Sequence, residues 1–341
     1  MTMMQAISYV ETGPTSVLFM SELAIPEPGA GEVRARVVRS GLNPSDTKSR
    51  SGWGGLTMPS DQVVPNNDGA GVIDAVGDGV DSSRIGMRVW VFEATLEGRY
   101  RGTSAEYVVV PERFAVELPD GISFDVGAAL GVPAMTAHRA LFAEGPIAGK
   151  TVLVTGGAGG VRHMAVQLAE WAGAQVITTV SRKEQADLLR GLSKATIIDR
   201  KRENVVERVL EETNGSGVNR IVEVDFAANI EVTKAVLAKH GTVAAYFSGH
   251  HPADGFNFPF WELLLQDRQL QLVFVYEMSR EAHDQAARDI NKALTDGALT
   301  AHVTQHYAFT RNEVARAHDD LDAGEVPGKA VIDVTADLMS L

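Results

Sequence analysis

Apolar and polar positions along this chain follow two rhythms. Over residues 32–118, short β-branched runs stand between glycines and prolines: EVRARVVRSGLNPSD, DGAGVIDAVGDGV, GMRVWVF and AEYVVVP. Runs that short, bounded by turn formers, predict the strands of a compact β-rich unit. Over residues 125–144 the alternation gives way to an alanine-rich stretch that predicts a helix, and residues 151–155 form an apolar run ending in glycines, a buried strand. Strand-like runs at 176–180, 195–198, 220–224 and 242–247 then alternate with helix-like segments such as 162–173 and 183–190. Strand, helix, strand repetition at this spacing predicts a parallel sheet with helices on both faces. Two more helical stretches, 279–296 and 312–323, precede a closing strand, KAVIDV. The expected division is 1–125, 126–270 and 271–341, with the tail rejoining the first unit and supplying the last sheet strands.

Length and composition narrow the function classes. A chain of 341 residues exceeds what one core of roughly 250–300 residues usually supports, so two domains are expected. With 45% apolar residues the chain has material for stable cores and does not read as disordered. The net charge of −13 repels a phosphate backbone, which argues against a general nucleic-acid binder. There is no cysteine, so disulfides, thiolate nucleophiles, iron–sulfur clusters and cysteine-bearing zinc sites are excluded by composition. No basic segment followed by an apolar run opens the sequence, and no run of about 18 apolar residues occurs in it. A soluble cytoplasmic protein with no membrane partner is expected.

The most informative segment is TVLVTGGAGGVRHMAVQLAEWAGAQVITTVSRKE, residues 151–184. A strand ends at Thr155, glycines follow at 156, 157, 159 and 160, and an amphipathic helix begins. Backbone amides at such a helix N-terminus can face a pyrophosphate, and a plain glycine turn is the alternative. The third glycine of the usual fingerprint is replaced by Arg162. Either the helix stands off slightly or the arginine stem points outward, with the guanidinium adding to phosphate binding or weakening it. At the end of the next strand, the acid that would hold a ribose hydroxyl of NAD is absent, and Ser181, Arg182 and Lys183 stand there. A hydroxyl beside two cations suits the extra 2′-phosphate, so NADPH is expected over NADH. Arg200, after the following strand run, is placed to reach the same phosphate or stack on adenine; the alternative is that these are solvated cations at a helix start, Lys183 above all.

Taken together, GLNPSDTKSRSG (41–52), NNDGAGVIDAVGDGV (66–80), AALGVPAMTAHRAL (128–141), VLVTGGAGGV (152–161), AAN (227–229) and PGKAVI (327–332) make the chain resemble one family over nearly its full length. It is similar to the zinc-free, zeta-crystallin-like quinone oxidoreductases of the medium-chain dehydrogenase/reductase superfamily. The resemblance implies an α/β fold: a Rossmann doubly wound parallel-sheet domain plus a GroES-like β-rich domain, with NADPH and substrate in a cleft and two copies forming a homodimer. The positions matching the zinc ligands of zinc-dependent relatives are Asn43, Asn67 and Val132, which do not make a zinc site. His250 and His251 are adjacent and are assigned to a loop.

Carried over position by position, the resemblance implies cofactor contacts from Ala158, Gly159, Gly160 and Val161 at the pyrophosphate and from Ser181 and Arg200 at the adenosine end. It places Asn229 near the ribose and Tyr246, Phe247, Ser248 and Gly249 at the nicotinamide amide, with Phe274, Val275 and Tyr276 covering the ring or, alternatively, forming plain core. Lys329 is implied as a phosphate contact, with a plain strand-start cation as the alternative. Asn43 and Thr136 are expected near the nicotinamide, Asn43 reading also as a turn former before Pro44 and Thr136 as a helix-interior residue. Asp68 stands in the place of a buried family acid, with an ordinary turn acid before Gly69 as the alternative. Two departures are evident: Lys48 replaces a tyrosine and is expected to supply a proton or hold an anionic acceptor, with a surface position as the alternative, and Phe247 replaces a glycine and is expected to narrow the pocket.

Without a Lewis acid, acceptors that are already electron-poor remain suitable, since hydride can be delivered to them by proximity. The expected activity is therefore NADPH-dependent reduction of quinones. Reduction of enones or alkenals is the enzymatic alternative, and a low-turnover, crystallin-like NADPH-binding protein is the other.

Overall fold

The computed structural model describes residues 2–96, 98–249, 251 and 254–335. His250 of the expected histidine loop lies outside the described residues, and His251 is exposed in a loop. Two compact units divide the chain: one takes Met1–Val132 and Thr300–Leu341, the other Pro133–Leu299.

The first unit opens with β1 (Met3–Ser8) and β2 (Phe19–Ala24), paired antiparallel. It continues through β3 (Glu32–Gly41), α1 (Pro44–Ser51), β4 (Asp68–Val76), β5 (Arg88–Val91), β6 (Tyr107–Pro111) and β7 (Ala115–Glu117) into α2 (Phe124–Phe142). In β6 the inward Val108 and Val110 are buried while their neighbours are half-exposed, the alternation of a strand with one covered face. Trp90, Phe92 and Phe114, all buried, meet in tilted and edge-on contacts, with centroids 5.5 and 4.9 Å apart. Each such ring contributes roughly 1.5–3 kcal/mol on burial.

In the second unit come β8 (Thr151–Val154), α3 (Gly160–Trp171), β9 (Gln175–Val180), α4 (Lys183–Leu192), β10 (Thr196–Asp199) and α5 (Val205–Glu212). Then follow β11 (Val218–Glu223), α6 (Ile230–Val236), β12 (Leu237–Ala245), α7 (Phe260–Leu264), β13 (Gln269–Leu272) and α8 (Arg280–Thr295). The six strands pair in parallel in the order β10-β9-β8-β11-β12-β13. Val152, Leu153 and Val154 are each 0% exposed. Successive strand residues point to opposite faces, so both faces of this sheet are covered. The strand order reverses between β8 and β11, and a doubly wound sheet opens its ligand crevice at the carboxyl ends of those two strands.

The chain then returns to the first unit through β14 (Val303–Ala308), α9 (Arg311–Asp322) and β15 (Lys329–Asp333). Val331 of β15 pairs with Gly41 of β3, antiparallel, so the tail completes the seven-stranded sheet that the N-terminal strands begin.

Both boundaries differ from the sequence division. The first, expected at 125/126, falls between Val132 and Pro133 inside α2, where Gly131 leaves helical geometry (φ −12°, ψ −108°) and Pro133 follows. The second, expected at 270/271, falls at Thr300, because β13 extends the parallel sheet and α8 packs on α3 of the same unit. Trp171 Nε1 donates to Asp296 there at 2.9 Å. Among the described residues, no helix is long and apolar enough to cross a membrane.

Candidate active site

The glycine turn lies at the carboxyl end of β8, at the reversal point. Gly156 has φ +68°, a left-handed conformation that favours glycine. Gly157 is the glycine that packs against a strand: a Cβ there would stand 2.1 Å from Thr178 Oγ1 of β9. The N–H groups of Arg162 and His163 both donate to Gly159 O, and the His163 ring reaches the same carbonyl. Among the described residues, nothing accepts from the N–H groups of Ala158, Gly160 or Val161. Those amides, at the positive end of α3, are suited to an anion. Arg162 neither pushes the helix away nor points outward. Its stem folds back over the turn, as helix side chains tilt toward the N-terminus.

Beyond β9 a pocket of about 430 Å³ is lined by Ser181, Arg182, Lys183, Arg190, Lys201 and Arg202, with Asp199 and Glu203 on the same wall. The Ser181 N–H and hydroxyl both donate to Gln185 Oε1, at 3.0 and 3.3 Å. Lys183, a largely exposed side chain, pairs with Asp187 one helical turn on. Arg200 is exposed and does not line this pocket; its N–H donates to Val180 O, and its neighbours Lys201 and Arg202 supply the cations instead.

The loops after β11 and β12 are stitched together: the Ala227 N–H donates to Ser248 O at 3.0 Å and the Phe226 N–H to Phe247 O at 3.4 Å. Gly249 has φ +83°, and a Cβ on it would stand 1.7 Å from Asp225 Oδ1, so only glycine closes this loop. Asn229 Nδ2 donates to Glu223 Oε1 at 3.0 Å, as does the Asp225 N–H at 2.6 Å. Glu223 is wholly buried. Burial pushes the Tyr246 hydroxyl above its ordinary value, with nearby Arg162 opposing and Glu223 adding to the rise. After β13, Phe274 is 63% exposed and meets Tyr276 edge-on at 5.3 Å, whereas Val275 is buried and its carbonyl hydrogen-bonds the His283 ring.

In the first unit, a buried polar cluster surrounds Asp68, the first residue of β4. Asn43 caps the N-terminus of α1, with Pro44 at the first helical position, and its N–H donates to Asp46 Oδ2 at 2.8 Å. Its side chain is engaged at both ends: Nδ2 donates to Asp68 Oδ2 at 2.7 Å, and Oδ1 accepts from Lys329 Nζ. The Lys329 ammonium lies 3.6 Å from Asp68, with only 4% of the residue exposed. A phosphate contact by Lys329 would require it to leave this arrangement. Asp46 also accepts from the N–H and Nδ2 of Asn67, and Asn67 Oδ1 accepts from Thr95 Oγ1 at 2.7 Å. Desolvation pushes the Asp46 carboxyl up to about 7, helped by the charge of Asp68. It also raises Asp68, against the pull of Lys329, and lowers Lys329, against Asp68 and Asp46. Asp68 is therefore no surface turn acid but the centre of a charge cluster, which its place before Gly69 concealed.

Lys48 lies half-buried on α1, with Nζ 4.4 Å from the centroid of the Trp53 ring. Desolvation lowers its pKa, and Asp322 opposes the shift. Thr136 is buried in α2 within the second unit. The positions matching zinc ligands do converge, but on the wrong chemistry: two amides already hydrogen-bonded, the Val132 N–H donating to Asp68, and a buried ammonium. That set does not fit Zn²⁺, which takes thiolate, imidazole or carboxylate and would be repelled by the ammonium. A dinucleotide fits the second unit better, through its open amides, cationic pocket and buried strand-end acid. Glu223 and Asp46 went unnoticed in the sequence, since a strand-end acid and a helix-start acid give no distinguishing local signal.

Comparison with known proteins identifies the family. Residues 29–120 match the alcohol dehydrogenase GroES-like domain, and residues 160–292 match the domain described as zinc-binding dehydrogenase. A Pseudomonas aeruginosa quinone oxidoreductase is 31% identical over 97% of this chain and 99% of its own. A mycobacterial protein solved in complex with NADPH is 29% identical, with a TM-score of 0.81 over 96% of this chain and 99% of that one. A tomato (Solanum lycopersicum) 2-methylene-furan-3-one reductase is 35% identical over 59% of this chain and 53% of its own length. From its paired GroES-like and Rossmann domains and its full-length likeness to the Pseudomonas enzyme, the chain belongs to the quinone oxidoreductase family of the medium-chain dehydrogenase/reductases, and it is an oxidoreductase.

Proposed function

We propose that this oxidoreductase uses NADPH to reduce quinones and works without zinc. The observation that carries the reading is the pocket beyond β9, where Ser181, Arg182 and Lys183 stand in place of a ribose-binding acid. A hydroxyl and flanking cations suit the 2′-phosphate of NADPH. Ala158, Gly159, Gly160 and Val161 would hold the pyrophosphate through their backbone. Asn229, Tyr246, Phe247, Ser248 and Gly249 would bind the nicotinamide half, with Thr136, Val275 and Tyr276 beside the ring and Phe274 at the margin. When bound, NADPH supplies a hydride.

The chain's own residues then have two tasks. Lys48, whose pKa is lowered by burial, is the group we assign to meet oxygen charge on the acceptor and return a proton. Asn43, held between Lys329 and Asp68, fixes the polar end of the first unit rather than turning freely toward a substrate. An acceptor that is already electron-poor asks for no stronger electrophile. The likeness to the tomato furanone reductase favours a second reading, reduction of activated carbon–carbon double bonds.

A panel of acceptors tests both. NADPH oxidation followed at 340 nm should be fastest with benzoquinone or naphthoquinone. Acceleration by alkenals alone would replace the first reading with the second, and no turnover alongside tight NADPH binding would replace both with a binding role.

We also propose a homodimer joined at β13, one of the two edge strands of the parallel sheet. Phe260, Trp261, Leu264, Leu265, Leu272 and Phe274 are all more than half exposed along this segment, an apolar surface that a second copy would cover.

A further inference from the structure

Above the glycine turn, three side chains from three elements converge: Arg162 from the first turn of α3, Glu223 from the end of β11 and Tyr246 just past β12. A Cβ on Gly156 would stand 2.6 Å from Arg162 Nη1, and one on Gly159 would stand 2.1 Å from Nη2. These two glycines therefore make room for a guanidinium laid flat on the turn. No acceptor among the described residues takes a hydrogen bond from it. Glu223 supplies a second and independent observation. It is 0% exposed; Oε1 accepts from Asn229 and from the Asp225 N–H, but Oε2 has no partner among the described residues. A buried carboxylate oxygen without a donor is costly unless a ligand completes it. What completes the pair must bring an anion for Arg162 and a hydroxyl donor for Glu223. A ribose phosphate carries both.

We propose that Arg162 and Glu223 form a subsite for the ribose phosphate of the nicotinamide half of the cofactor, Arg162 pairing with phosphate and Glu223 Oε2 accepting a ribose hydroxyl. This rests on the NADPH reading and adds two residues to it. The arginine in the third-glycine position is then a substitution of one anion-binding device for another: side-chain charge in place of close backbone approach. It also offsets the repulsion between a phosphate and the nearby carboxylate.

Two probes separate this inference from the reading beneath it. NADPH spans both halves of the site, whereas 2′,5′-ADP reaches only the adenosine half. Titration calorimetry should show both binding to the wild-type protein. Arg162→Gln and Glu223→Gln should each weaken NADPH about tenfold or more, as expected for loss of a charge-assisted hydrogen bond, and leave 2′,5′-ADP unchanged. Arg162→Lys should recover part of the loss. NADPH affinity that is unchanged or tighter in the glutamine variants would overturn the subsite while leaving the cofactor in place. Equal weakening of both probes would also overturn it, since the residues would then act through the fold. A wild-type protein that binds neither probe would overturn the NADPH reading itself, and the subsite with it.

Discussion

Asp68 and Gly131 are in such close contact that a Cβ on the glycine would stand 2.0 Å from Asp68 Oδ1. The same carboxylate accepts the Val132 N–H at 2.9 and 3.0 Å, at the point where α2 breaks. Gly131→Ala should therefore destabilise the first unit by on the order of 3 kcal/mol, the cost of overpacking against a buried charge that cannot retreat. Urea unfolding would measure it, and a change under ~0.5 kcal/mol would mean that the contact relaxes freely.

Breaking the Asp68–Lys329 pair should be worse than removing it. Asp68→Asn removes the carboxylate 3.6 Å from a buried ammonium, leaving Asp46 as the acid that still acts on it, and should cost about 3–5 kcal/mol. Adding Lys329→Met should recover a large part, a coupling that a double-mutant cycle reads directly.

Two buried groups tilt stability with pH in opposite directions. His318 is wholly buried beside Arg50, both ring nitrogens lack a partner among the described residues, and burial lowers its pKa from 6.5 to about 3. The folded state keeps it neutral while the unfolded chain takes up a proton below 6.5, so its contribution is lost as pH falls from about 6.5 toward 3. Asp46, raised from 3.8 to about 7, contributes stability that is full below 3.8 and lost as pH rises through 7. Denaturation midpoints across pH should show His318→Leu flattening the acid limb and Asp46→Asn the neutral one. Parallel wild-type and variant curves would refute the assignments.

Coenzyme choice should follow the pocket beyond β9. Ser181→Asp puts an acid where the 2′-phosphate is expected and should weaken NADPH by about tenfold or more while sparing NADH. Fluorescence titration of both nucleotides gives the ratio, and an unchanged ratio would place the phosphate elsewhere.

At the sheet edge, Leu272 is 77% exposed and Leu265 74%. Charging both, as Leu265→Asp with Leu272→Asp, should yield monomers by sedimentation equilibrium without loss of helix content. Monomeric wild-type protein would remove the dimer.

Local pattern alone determined the parallel strands and their helices, the glycine turn, the missing ribose acid and the absence of any thiolate chemistry, because each is written in neighbouring residues. Short-range periodicity fixes which faces are apolar, and a strand-to-helix glycine cluster needs no distant partner. Only the tertiary structure decided that α2 stays with the first unit as far as Val132, that Arg162 folds over the turn, that Lys201 and Arg202 line the pocket and Arg200 does not, and that Glu223 is a buried acid. It also joined Asn43 to Lys329 across 286 positions of sequence. A charge's surroundings are set by whichever residues fold against it, and those lie far off along the chain, so desolvation and pairing cannot be read from sequence neighbours.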